Sequence, residues 1–196
     1  FINDIDNVFE TDVLRGIIAQ IENTSKKKYN PNDPNTAPAF RVISDHLRSL
    51  SFAIADGIQP SNLDRGYVLR KILRRAVRYG KQLGFNGPFL TKIYPALVDL
   101  MGPHYPELIN SRLKIEEIMT LEEENFFRTL QRGGNILQKV IQVAKKEERC
   151  IKGEEAFKLK DTYGFPLEEI SLIAKDNHLK IDLESFSSFE KQAKEL

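Results

Sequence analysis

The sequence predicts an all-α protein of two packed helical subdomains with one long helix. Three observations carry this expectation. Apolar residues recur at three- and four-residue spacing along almost the whole chain, the period of one helix face. No alternating pattern of any length marks a strand. The helical period also continues through one long region, Glu107 to Glu148. The run Gly102-Pro103-His104-Tyr105-Pro106 is the best boundary between the subdomains, which gives 1–105 and 106–196.

The elements follow in order. A first helix is expected over Asp6 to Asn23, with Val8, Phe9, Val13, Ile17, Ile18 and Ile21 inward. TSKKKYNPNDPNTAP is a loop by its Pro, Asn and Asp content. A second helix covers Ala39 to Ala55, where Phe40, Ile43, Leu47, Leu50 and Ile54 share a face and Gly57 suits the C-terminal cap. A basic helix follows the turn from Gln59 to Asp64. Pro88 to Met101 forms a shorter helix that ends at Gly102, with Pro95 a place for a kink. The long helix has Ile115, Ile118, Leu121, Phe126, Leu130, Leu137, Val140, Ile141 and Ala144 on its apolar side. Gly133 and Gly134 are places for a kink or for the close approach of another segment. Glu116, Glu117 and Glu122 to Glu124 are expected in solvent. Short helices complete the chain near Glu154–Leu159, Pro166–Asp176 and Leu183–Leu196. Pro166 fits a first turn and Asp182 an N-cap.

A chain of 196 residues buries roughly 70% of its unfolded surface, enough for a core without staples. The hydrophobic share of 41% and charged share of 29% are those of a soluble globular protein. No apolar run approaches the ~18 residues of a membrane span, so no membrane partner is expected. The lone Cys150 cannot form an internal disulfide, which fits a reducing compartment and a cytoplasmic location. The chain opens on Phe rather than Met and carries no targeting pattern, so it is expected to be cut from something longer.

The charge is unevenly placed. Arg41 to Lys81 carries nine Lys/Arg against three Asp/Glu, while the rest of the chain is net acidic. Within this segment, stepping 100° per residue puts Arg70, Lys71, Arg74, Arg75, Arg78 and Lys81 on one side of a helix. Val68, Leu69, Ile72, Leu73, Ala76 and Val77 fall on the other. Such a helix can pack on a core and present a cationic rail to a polyanion, although a basic face is often only a solvated one.

No constellation for catalysis is present. His46, His104, His178 and Cys150 lie far apart without zinc-ligand spacing, so no metal site is expected. Neither GxGxxG, GxxxxGK[ST] nor GxSxG occurs.

Two long stretches carry a resemblance. RVISDHLRSLSFAIADGIQPSNLDRGYVLRKILRRAVRYG and AFKLKDTYGFP resemble, in order and spacing, the tRNA-recognition region of alanyl-tRNA synthetases. EEENFFRTLQRG resembles the family's long-helix segment. The likeness spans essentially the whole chain. Lys71 stands where Arg is usual and Lys160 where Tyr is usual. The resemblance implies a tRNA-binding segment of a synthetase that joins alanine to its tRNA. The class II core, with ATP and Mg, would lie before it and an editing domain after it. The segment itself would need no cofactor, and its partners would be the tRNA acceptor stem and the rest of the parent chain.

The family is known for reading a G·U wobble pair. The wobble shift leaves the guanine 2-amino group without its usual partner in the minor groove and exposes uracil O4 on the opposite edge. The first calls for an acceptor and the second for a donor. An ionised Asp only accepts, whereas an Asn amide does both. The motif positions are Asn62 in PSN and Asp161 in DTYGFP. Each also has an ordinary reading, as a turn or cap residue. Arg65, Arg70, Lys71, Arg74, Arg75 and Arg78 are the candidates for phosphate contact, or for pairing with carboxylates such as Asp45, Asp56 or Asp64. A generic helical nucleic-acid binder and a protein-interaction scaffold are the rival readings; the first predicts indifference to the wobble pair, the second no salt-sensitive binding of nucleic acid.

Overall fold

A computed structural model describes residues 7–147 and 150–194. The expected all-α class holds, and the chain divides into two compact units between Phe127 and Arg128. That division falls inside the long helix. The Gly102–Pro106 run is a turn within the first unit.

The first unit begins with a 3-10 turn, Val8–Glu10, whose Phe9 amide donates to Asn7 Oδ1. The expected first helix therefore starts later than Asp6, which lies outside the described residues. α1 is Asp12–Ser25, and its Ile17, Ile18 and Ile21 are wholly buried. α2, Ala37–Ala55, brings in Phe40, Ile43, Leu47, Leu50 and Ile54, all without exposure. It closes at Gly57, where the amides of Gly57 and Ile58 donate to the carbonyls of Ile54 and Ala53. α3, Asp64–Gln82, packs on α2 through Leu69, Leu73, Ala76 and Val77. Val68, assigned to that apolar face from the period, is exposed. α4, Leu90–Met101, packs on α1 and holds Pro95 without ending.

The long helix differs from expectation at its start. The chain makes a one-turn helix, α5 at Pro106–Asn110, breaks at Ser111, and then runs as α6 over Arg112–Lys146. The expected end at Glu148 lies outside the described residues. Two of its acidic residues are not in solvent: Glu122 and Glu123 are buried, whereas Leu121, expected inside, is exposed. Polar partners explain the reversal. Glu122 is met by two arginines, and Glu123 is met by backbone N–H groups at the start of α4.

The second unit continues along α6 and adds α7 (Gly153–Asp161), α8 (Leu167–Asp176) and α9 (Leu183–Lys194). Between them Cys150–Ile151 (β1) and Lys180–Ile181 (β2) pair in parallel, Cys150 opposite Lys180. This minimal strand pair was not expected; two residues are too few to show a period. Asp182 caps α9, accepting from the Ser185 amide at 3.0 Å. Ala156, Leu159, Phe165 and Ile170 form the centre of this unit's core.

Candidate nucleic-acid interface

In the first unit, the turn before α3 is built by close contact. Ser61 Oγ accepts from the Leu63 amide at 3.3 Å and donates to the Leu63 carbonyl at 2.8 Å. The Ser61 amide donates to the Gly66 carbonyl at 3.0 Å. A Cβ on Gly66 would lie 2.3 Å from both the Gln59 oxygen and Ser61 Oγ, so the turn can lie across the helix start only because residue 66 has no side chain. This fold-back leaves Asn62 exposed on the outside. Asn62 does not cap α3: the N-cap is Leu63 and no side-chain cap bond is made. Its Oδ1 instead accepts from Arg70, one of the rail residues.

The six candidate cations are not equivalent. Arg70 Nε lies 3.0 Å from Glu122 Oε1 and Arg74 Nε lies 3.2 Å from the same oxygen. The Arg70 contact is an ion pair and not an aligned hydrogen bond. Arg74 is also stacked on Phe126, with its guanidinium carbon 5.0 Å from the ring centroid. The side chains of Arg70 and Arg74 are 23% and 14% exposed, so both are mostly covered. Their partner is Glu122, not Asp45, Asp56 or Asp64. Arg65 is exposed and has no side-chain partner among the described residues. Lys71 lies over the Tyr67 ring at 5.0 Å and Arg75 over Tyr79 at 5.9 Å. Arg78 is half-buried on the same helix.

Spacing held the signal for Glu122. It continues the stripe Ile115, Met119, Phe126 and Leu130 at helical intervals, and all four of those residues are buried. A charge inside an apolar stripe needs a partner brought by another element.

In the second unit, Asp161 is the last residue of α7 and is exposed. A cap role does not fit it there. The end of a helix leaves carbonyl oxygens unsatisfied, and a carboxylate cannot donate to them. Among the described residues its side chain has no partner. The neighbouring Lys160 turns away, pairing with Glu190 and lying 5.5 Å over the Phe186 ring. The loop after Asp161 is held against α6. A Cβ on Gly133 would come within 2.7 Å of both Tyr163 Cβ and Phe165 Cε2, so Gly133 serves close approach and α6 continues through it.

Among the described residues, no three of His, Cys, Asp and Glu converge to hold a metal ion. Cys150 is free. His178 has φ +56 and sits at the end of α8, where its own amide and that of Leu179 close the helix. No helix among the described residues is long and apolar enough to cross a membrane.

Comparison with known proteins bears on this arrangement. A family model described as tRNA synthetases class II (A) matches residues 1–196. The alanine–tRNA ligase of Chlamydia pneumoniae is 58% identical over 188 residues, 96% of this chain and 21% of that protein. The alanine–tRNA ligase of Chlamydia trachomatis serovar D is 58% identical over 192 residues, 98% of this chain and 22% of its own length. The alanine–tRNA ligase of Staphylococcus epidermidis is 46% identical over 178 residues, covering 91% of this chain and 20% of itself. The chain thus spans about a fifth of the length of these relatives.

Proposed function

The chain belongs to the class II (A) tRNA synthetases, and on that premise we propose that it is the part of an alanine–tRNA ligase that holds the tRNA acceptor stem and reads its G·U wobble pair. The parent joins alanine to its tRNA in the cytoplasm, using ATP and magnesium in a catalytic core that precedes this segment; an editing domain follows it. This segment contributes binding and no catalytic residue.

The observation that supports the reading is Asp161. A carboxylate at the negative end of a helix costs roughly 0.3–1 kcal/mol when no partner holds it, and among the described residues no side chain pairs with Asp161. An external donor supplies the missing interaction, and the unpaired guanine 2-amino group in the shallow minor groove of an RNA helix is such a donor. Asn62 supplies the complementary group, an amide N–H for uracil O4. The cations of α3 that Glu122 does not hold, Arg65, Lys71, Arg75 and Arg78, engage phosphates, which position the stem, while Asp161 and Asn62 specify it.

The test is a double-mutant cycle in the full-length ligase, read as aminoacylation kcat/KM. Asp161→Ala removes the acceptor, and replacing G·U by G·C occupies the amino group from the RNA side. Each change alone should cost on the order of 1–3 kcal/mol, the scale of a good base contact. Together they should cost little more than either, because both remove one interaction. Strict additivity would mean that Asp161 does not touch the wobble pair.

A further inference from the structure

We infer that Arg70 and Glu122 are positioning residues that decide which end of the Asn62 amide faces the RNA, and that Arg70 is not a phosphate contact. The inference rests on the reading of Asn62 given above and adds the device that makes this amide selective.

An Asn side chain is ambiguous by itself. Its terminal torsion is nearly two-fold, so the amide offers a donor or an acceptor at almost the same place. An exposed Asn that samples both orientations would accept from an amino group as readily as it would donate to a carbonyl. Arg70 removes the ambiguity. A guanidinium only donates, so the Asn62 atom facing it must be the oxygen. The NH2 group is then left outward, without a partner among the described residues. Asn62 becomes a donor alone, the complement of a carbonyl oxygen such as uracil O4 and the wrong partner for an amino group.

The guanidinium is itself fixed on its other sides. Its Nη2 donates to the Pro60 carbonyl at 3.4 Å, which ties it to the same turn. Its Nε faces Glu122 at 3.0 Å. Glu122 is buried, on a helix that follows Asn62 by some fifty residues in sequence, and Arg74 holds it from the next turn of α3. All three nitrogens of Arg70 face protein acceptors and its side chain is only 23% exposed, which sets it against a role as a phosphate contact. The path Glu122–Arg70–Asn62 therefore carries orientation from the core of the first unit to the exposed amide.

Lysine separates the two roles of Arg70. Arg70→Lys keeps the positive charge and loses the planar fork. If Arg70 orients Asn62, the variant in the full-length ligase should lose on the order of tenfold of its preference for a G·U over a G·C acceptor stem. The slope of log affinity against log salt should not change. Combining Arg70→Lys with Asn62→Ala should do no more to the preference than Asn62→Ala alone. Glu122→Gln should act in the same direction and should remain within the folded population by circular dichroism. Arg70→Lys answers the question even if the Glu122 variant does not fold. Retained preference in Arg70→Lys, with a salt slope flattened by about one in Arg70→Ala, would make Arg70 a phosphate contact and overturn the inference. Failure of the wobble reading itself looks different: the unsubstituted ligase would show no preference for G·U over G·C, or Asn62→Ala would leave that preference intact, and the inference would fall with it.

Discussion

Glu123 closes the start of a helix to which it does not belong. Its Oε1 accepts from the Phe89 amide at 3.0 Å and from the Leu90 amide at 3.3 Å, so a side chain of α6 satisfies the orphan N–H groups of α4. Burial pushes its pKa from 4.5 to about 7, and the two amides and Lys92 only partly oppose this. The folded state thus holds a proton on Glu123 that the unfolded chain has released. The stabilisation is fully present below pH 4.5 and is lost as pH rises through about 7. The difference in unfolding free energy between the unsubstituted chain and Glu123→Gln should fall by roughly 3 kcal/mol across that window and be flat above it. Urea midpoints of both proteins at pH 4.5, 6 and 8 measure it. Parallel pH profiles would show that Glu123 does not titrate there.

Asp161 should trade stability for recognition. Asp161→Asn removes a negative charge from the C-terminal end of α7 and should stabilise the second unit by about 0.3–1 kcal/mol. The same variant should discriminate less well between G·U and G·C stems, because an amide also donates. Thermal unfolding and aminoacylation of the same preparation give both values. A fall in stability would mean that the carboxylate has a structural partner.

Two adjacent glycines should behave oppositely. Gly133→Ala places a methyl within 2.7 Å of Tyr163 and Phe165 and should cost about 1–3 kcal/mol. Gly134→Ala meets nothing within 4 Å and should stabilise by up to about 1 kcal/mol through helix propensity. Equal effects on the melting temperature would mean that the loop after Asp161 does not rest on α6.

Binding to an alanine acceptor stem should weaken steeply with salt. With Arg65, Lys71, Arg75 and Arg78 as the remaining candidates, three or four phosphate contacts give a log–log slope of roughly −3 to −4. Arg65→Ala, at an exposed residue, should flatten it by about one. Fluorescence titrations between low and moderate salt test this, and a flat profile for the unsubstituted protein would favour a protein scaffold.

Much of this protein follows from its sequence alone. Helical period and cap chemistry are local, so α2, α3 and the Asp182 cap were legible, as was the concentration of positive charge on one face of α3. The motif match singled out Asn62 and Asp161 as candidates. What the tertiary structure decided is which charges face inward. Glu122 and Glu123 read as solvated because exposure is the default for a carboxylate. They are buried because α3 brings two guanidiniums to one and the start of α4 brings backbone amides to the other. Those partners lie more than thirty residues away in sequence, and no local period reports them. The same non-local pairing withdraws Arg70 and Arg74 from the cationic rail. A helix wheel shows which residues share a face; only packing decides which of them already have an anion.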